Sequence, residues 1–319
     1  MTPTITYRIV CGILFLLLAN TAFAQQNPDA AWGKTDKKLT MELQKLVNNF
    51  RGTAGVYVYD LKTHREAAIN ADTLFPTASI IKVPILVGIF KKIQEGELNY
   101  HQPLLYHDSL AHGGSGIMQY FKDSTKTNVS VAVTLMISHS DNTAAHWCQA
   151  LAGGGAAINS WLADRGFQFT RVNSQTPGRE KADDMYGWGQ TTPREMAHLL
   201  CLIRENKIIT PAACERMYRD MTHIFWDDYA LSQIPPYVQT ASKQGMVDAS
   251  RSELVMVNAP HGDYVFYVAT KNNKDQRWKP DNEAWQFARN VSALLWHYFE
   301  PKSKWEPAKG YEKFWDWNG

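Results

Sequence analysis

Apolar and polar positions along this 319-residue chain change period several times, and the changes divide it into elements. Leu39, Leu43, Leu46, Val47 and Phe50 recur at three- and four-residue intervals, which predicts a helix over 38–50. Gly55-Val56-Tyr57-Val58-Tyr59-Asp60-Leu61 is β-branched and aromatic and reads as a strand. A turn at Lys62-Thr63 and a second strand over 66–70 follow. The continuous apolar run from Val83 to Phe90, closed by Lys91-Lys92, predicts a buried helix entered just before Ser79 and ending near Gly96. Helices are also expected over 129–137, 143–151, 156–165, 193–204 and 211–221; Thr192-Pro193 supplies a cap and a first-turn proline. Strands return over 238–242, 252–258 and 264–270. Residues 282–299 form a closing amphipathic helix with Trp285, Phe287, Val291, Leu294 and Leu295 on one side. Two stretches, 101–128 and 169–190, keep no period and read as loops. The second is long enough that it is either functional or disordered.

Strands at both ends and helices between them predict an α/β (α+β) class. One antiparallel sheet is formed by both chain ends, 25–90 and 225–303, and a mostly helical subdomain, 91–224, is inserted. The Trp-rich stretch 304–319 is a tail expected to pack on this body.

The first 24 residues stand outside that pattern. Arg8 precedes an apolar run from Ile9 to Ala19, and Ala22-Phe23-Ala24 has the small-x-small form of a signal-peptidase site. The chain is expected to be exported, periplasmic or secreted, with cleavage after Ala24. The apolar run is too short to span a bilayer, and no later stretch reads as an integral membrane segment. The formal charge of +2 drops to +1 with Arg8 gone, which offers nothing to nucleic acid or an acidic membrane. Cys11 leaves with the leader. Cys148, Cys201 and Cys214 are an odd set in a disulfide-permissive compartment; buried free thiols are expected, with a Cys201–Cys214 pairing left open. Neither metal-ligand spacing nor a glycine-rich phosphate loop is evident, so no metal and no cofactor are expected. The partner is expected to be a small molecule or a peptide, and the protein a monomer.

The candidate chemistry begins at Ser79-Ile80-Ile81-Lys82. Residues three apart share a helix face, so a neutral Lys82 amine could take the proton of Ser79. A short Ser-x-x-Lys match is weak alone, and its bland reading is a helix that begins with a serine. Downstream stand Ser140-Asp141-Asn142, after the 129–137 helix, and Lys243-Gln244-Gly245, placed after the 238–242 strand. Singly, Ser140 and Asn142 would be helix caps and Lys243 a solvated strand end.

Together and in this order the three motifs resemble the penicillin-recognising serine enzymes, class A β-lactamases in particular. The runs Phe75-Pro76-Thr77-Ala78-Ser79, Leu135 to Ala144 and Thr191-Thr192-Pro193 carry the same resemblance, which extends from about Leu39 to Phe299. It implies acyl transfer on a strained lactam or an amide. Ser79 would attack, Lys82 would accept its proton, and Ser140 would relay a proton to the leaving nitrogen. Asn142 would bind a substrate carbonyl. Lys243, beside Gly245, would attract a substrate carboxylate, with Arg251 as a second cation. The oxyanion hole would be the backbone N–H groups of Ser79 and of the strand near Met246.

The long loop departs from the family. The register between Thr170-Arg171 and Thr191-Thr192-Pro193 puts Thr176 where the family's deacylating glutamate stands, and Glu180 where its asparagine stands. Threonine is no general base at neutral pH, so Glu180 is the expected base, working from the other side of one water. Asp183, Asp184 and His146 are further candidates. Ser174 and Gly189 replace the arginine–aspartate pair that usually pins the loop, and Gln244 replaces a hydroxyl residue. Three functions stay open: a β-lactam hydrolase, a related D,D-peptidase on cell-wall peptides or another amide, and a covalent penicillin binder with little turnover.

Overall fold

The computed structural model describes residues 32–315; the leader, its cleavage point and Trp317 lie outside the described residues. A short strand β1 (Lys34–Thr35) precedes helix α1 (Lys37–Asn48), capped by Asp36, whose side chain accepts from Leu39 N at 3.0 Å. The hairpin β2 (Thr53–Asp60) and β3 (Arg65–Ile69) follows, then β4 (Phe75–Pro76) and a 3₁₀ turn, Ala78–Ile81. Helix α2 (Lys82–Gln94) leads into a small hairpin, β5 (Pro103–Leu105) and β6 (Lys126–Asn128). The helical block continues with α3 (Val129–Ser138), α4 (Asn142–Leu151) and α5 (Gly154–Asp164). Strand β7 (Arg171–Val172), helix α6 (Glu180–Tyr186) and strand β8 (Gly189–Thr191) make up the long loop region. Helices α7 (Pro193–Arg204) and α8 (Pro211–Met221) complete the block. The chain then returns through β9 (Thr240–Val247), β10 (Ser250–Val257), β11 (Tyr264–Lys271) and α9 (Glu283–Phe299).

The main sheet has the order β1-β3-β2-β11-β10-β9, antiparallel except where β1 meets β3. Both chain ends therefore meet at the β2–β11 ladder, as the order of elements in the sequence implied. Strand alternation splits the interior in two. Tyr57, Tyr59, Leu254, Met256, Tyr267 and Ala269 face the helical block, whereas Val56, Val58, Val255, Val257, Phe266 and Val268 face α1 and α9. Every residue from Lys82 to Phe90 is buried, so α2 runs through the centre of the first core, apolar all round as its sequence is.

Three boundaries differ from the sequence reading. Strand β9 runs on through Lys243, Gln244 and Gly245 to Val247 instead of stopping at Ser242, because both polar side chains are buried in a site. Residues 101–128 are not one loop: β5 and β6 pair, and 3₁₀ turns form at Asp108–Leu110 and Met118–Tyr120. The 169–190 loop likewise contains α6 and a three-stranded sheet, β4-β8-β7, that ties it to the segment before Ser79. Cys148, Cys201 and Cys214 are buried free thiols. In the tail, Trp305 packs against the outer core. No helix among the described residues is long and apolar enough to cross a membrane.

Candidate active site

Ser79 lies in the 3₁₀ turn, not in α2 itself, and the turn delivers the same neighbour as a helix would. Lys82, the first residue of α2, places its Nζ 3.0 Å from Ser79 Oγ. Ala78, just before the nucleophile, is held at φ +42°, and Ser140 at φ +55°. Non-glycine residues in this left-handed region are strained, and such strain gathers where a side chain must be aimed. Gly245 explains how β9 reaches the turn: a Cβ there would lie 2.2 Å from Thr77 O and 3.0 Å from Ile80 N. Only glycine lets the edge strand approach the Ser79 turn that closely.

Ser140-Asp141-Asn142 joins α3 to α4. Asp141 accepts from Ala144 N at 2.8 Å, capping α4, and from Ile117 N and Met118 N at 2.7 Å each. It is structural: it fixes a corner from which Ser140 and Asn142 both face Lys82. Lys82 Nζ donates to Ser140 O at 2.5 Å and to Asn142 Oδ1 at 2.9 Å and lies 3.1 Å from Ser140 Oγ, which leaves the lone pair of the neutral amine for Ser79. Asn142 Nδ2 donates to Gly113 O at 2.9 Å, which locks its amide orientation. On the other side, Lys243 Nζ donates to Ser140 Oγ at 3.0 Å and to Gln244 O at 2.9 Å. The Ser140 hydroxyl thus bridges two lysines.

Both lysines are fully buried, and neither pairs with a carboxylate among the described residues. Burial disfavours the ammonium form. The Lys82 amine is held well below its ordinary range, first by desolvation and then by the charge of Lys243, against a smaller pull from Asp141. Lys243 is lowered to about 7 by desolvation, partly offset by Glu253. A neutral Lys82 can accept a proton, and a Lys243 charged below about pH 7 can attract an anion.

Pro76, Ala78, Ser79, Asn142, Met246, Val247 and residues 185–188 line a cleft of about 670 Å³. β9 is the edge strand of the sheet, so a row of its backbone groups is turned to the cleft around Met246. Trp188, with no sequence signal, forms a wall: Lys82 Nζ lies 5.4 Å from its ring centre. His146 packs behind it, 4.4 Å from Trp188 and 3.8 Å from His112 between ring centres. Burial, then His112 and Lys82, lower His146 to about 4, so it is neutral at pH 7.

Two expected residues are not brought to this site. Glu180 is exposed at the start of α6, and its carboxylate accepts from Gly178 N at 2.9 Å. Backbone N–H groups of Glu180 and Gly178 hold it below the usual carboxylate range, which weakens it further as a base. Arg251 lies on the α9 face of the sheet. It contacts Val247 O, donates to Asp248 O at 3.1 Å, and sits 4.5 Å from Trp278 and 5.0 Å from Trp285. It is a buried packing residue there, not part of the cleft. Thr176 is also turned away. It is buried, bonds Ser174 O at 3.1 Å, and its Oγ1 is 1.8 Å from where a Cβ on Gly155 of α5 would stand. Asp184 is exposed, and Asp183, in α6, is not a wall of the cleft.

The loop is pinned by other means than the family's ion pair. Arg179 donates to Asn173 Oδ1 at 3.1 and 2.8 Å and to Gln190 Oε1 at 2.7 Å, while Asn173 Nδ2 reaches Ala182 O and Gly187 O. Gln149 of α4 holds Ser174 O at 2.8 Å. Gln244 is buried with its Oε1 3.4 Å from Lys243 Nζ, so the amide is turned toward its own lysine.

Known proteins resemble this chain in sequence and fold. The model of the beta-lactamase enzyme family matches residues 38–299. The chain is similar to beta-lactamase VEB-1 of Pseudomonas aeruginosa, 20% identical over 272 residues that span 82% of this chain and 90% of that one. A beta-lactamase of Streptomyces fradiae is 24% identical over 271 residues, 84% of this chain and 87% of that one. Among solved structures, PBP-A superposes with a TM-score of 0.75 and 27% identity over 84% of this chain and 98% of its own. A structure called a beta-lactamase, from Chitinophaga pinensis, gives the same TM-score at 18% identity, which speaks for the fold alone. With the match covering most of its length, the chain belongs to the beta-lactamase enzyme family, as a class A-like serine hydrolase.

Proposed function

We propose that this protein forms an acyl-enzyme at Ser79 with β-lactams and hydrolyses it slowly. The observation that carries the reading is the unbroken chain of contacts Ser79 Oγ, Lys82 Nζ, Ser140 Oγ, Lys243 Nζ, each 3.0–3.1 Å from the next. Neutral Lys82 takes the proton of Ser79 as Oγ bonds the lactam carbonyl carbon. Backbone N–H groups of Ser79 and Met246 receive the oxyanion. As the C–N bond opens, the Ser140 hydroxyl gives its proton to the nitrogen and is reprotonated by the Lys82 ammonium. Lys243 attracts the substrate carboxylate, and Asn142 holds the carbonyl of the acyl side chain.

Breaking the ester needs an activated water. Thr176 and Glu180 both point elsewhere, and Trp188 stands over Lys82. Neutral Lys82 is then the base in contact with Ser79, and turnover is slow. These same features favour a second reading, a D,D-peptidase on cell-wall peptides. The likeness to PBP-A, of which a mutant forms an acyl-enzyme complex with penicillin-G and which is 28% identical to this chain, supports acylation by a penicillin under either reading. The leader adds export to either reading. Nitrocefin hydrolysis and D-alanine release from a D-Ala-D-Ala peptide, measured on the same preparation, separate the two. Nitrocefin turnover without D-alanine release supports the first, and the reverse supports the second. Neither activity, with no adduct on Ser79, would refute acyl transfer altogether.

A further inference from the structure

Besides the buried lysines beneath its floor, the cleft carries one charged side chain on its wall. Lys271, the last residue of β11, lines it together with Asn272, Ser250 and Val247. Strand alternation puts Lys271 on the face of Tyr267 and Ala269, toward Ser79. Its Nζ donates to Leu74 O at 2.8 Å and lies 5.2 Å from the ring centre of Phe75. These contacts set its place and leave further N–H donors. It has no acidic partner among the described residues.

The sheet register says how far this cation is from the other. Lys243 pairs with Leu254, whereas Lys271 pairs with Ser250 and Ser250 with Val247. Lys243 and Lys271 are thus four residues apart along the strands and two strands apart across them. At about 3.3 Å per residue and about 4.8 Å per strand, their Cα atoms are about 16 Å apart. One carboxylate cannot bridge both. With Met246 between them at the oxyanion hole, a substrate lies with its leaving-group carboxylate at Lys243 and its acyl side chain toward Val247 and Lys271.

We infer that Lys271 is a specificity residue, selecting substrates whose acyl side chain carries an anionic group, a carboxylate in the simplest case. This rests on Ser79 and Lys243 acting as proposed above. The surrounding wall of Met185, Trp188 and Met246 is apolar, so the lone ammonium decides which polar substituent is accepted there. The anion can belong to a β-lactam or to a peptide.

The test compares two penicillins that differ in that group. Carbenicillin has a side-chain carboxylate and benzylpenicillin does not. The second-order rate constant of Ser79 acylation is measured for both by intact mass. A half-buried ion pair is worth about fivefold, so the carbenicillin-to-benzylpenicillin ratio falls about fivefold in Lys271→Gln and further in Lys271→Glu. Lys271→Arg keeps the ratio, which separates charge from packing against Leu74 and Phe75. Acylation by both penicillins with one ratio, within twofold, in all four proteins overturns the inference and leaves the proposed function standing. If neither penicillin acylates, the β-lactam reading fails. The inference is then judged on binding of N-succinyl- against N-acetyl-capped D-Ala-D-Ala peptides, where equal affinity overturns it. A Lys271-dependent preference in the peptide pair alone assigns the anion to a peptide, and in the penicillin pair to a β-lactam.

Discussion

Motif logic suggests restoring deacylation by writing glutamate back at Thr176; the structure predicts that this fails. The Thr176 side chain is buried against α5, its Oγ1 1.8 Å from the position of a Cβ on Gly155. A glutamate built on that backbone enters the α5 contact and not the cleft. Two extra heavy atoms in a packed space cost about 1–3 kcal/mol. The carboxyl would also be desolvated without a basic partner. If burial raises it by about two units, the charged form costs about 2.7 kcal/mol more. The sign follows from proton linkage: a carboxyl raised in the folded state costs stability above its folded value and nothing below the unfolded value of about 4.3. Thr176→Glu is therefore expected to lose about 4–6 kcal/mol at pH 8 and only about 1–3 at pH 4. Urea unfolding of both proteins at the two pH values reads the difference, and intact-mass kinetics read the acyl-enzyme lifetime. A variant as stable as the wild type that releases its acyl group tenfold faster would refute the orientation argued for this loop.

Other expectations follow from the same contacts. Lys82→Met removes the base 3.0 Å from Ser79 Oγ and slows acylation about 1,000-fold in stopped flow with nitrocefin, while substrate affinity changes less. The acylation rate constant kcat/KM with benzylpenicillin falls as pH rises through about 7, because Lys243 loses its charge; Lys243→Gln lacks that limb. Asp141→Ala strands three N–H donors, two of them buried (Ala144 and Met118) and one partly buried (Ile117), and costs about 3 kcal/mol in urea unfolding.

Much of this site was legible because its residues are local. Ser79 and Lys82 are one turn apart, and Ser140 and Asn142 flank a single helix cap, so spacing alone brings them near. The architecture was legible for a similar reason, since alternating strands at both ends must share a sheet to bury their apolar faces. What failed depended on direction. Counting along the loop brings Glu180 to the site, but α6 begins there and local backbone N–H groups take the carboxylate. Nearness to Lys243 in the sequence suggests Arg251 as a second cation. Pairing of Lys243 with Leu254 puts Arg251, three residues from Leu254, on the opposite face, so strand parity held the answer once the register was known. Trp188 and Lys271 reach the cleft only through tertiary pairing, β7 with β8 and β10 with β11, and no local pattern marks them. The replacement of the loop's ion pair by Arg179, Asn173 and Gln190 is equally non-local.

The central claim is that this protein is built to acylate Ser79 and poorly built to release the product. Rapid-quench intact mass with benzylpenicillin, with peptide mapping of the adduct, tests it directly. The account predicts a stoichiometric adduct on Ser79 that forms faster than it decays, and none in Ser79→Ala. Fast turnover with no accumulating adduct, or an adduct on another residue, would contradict it.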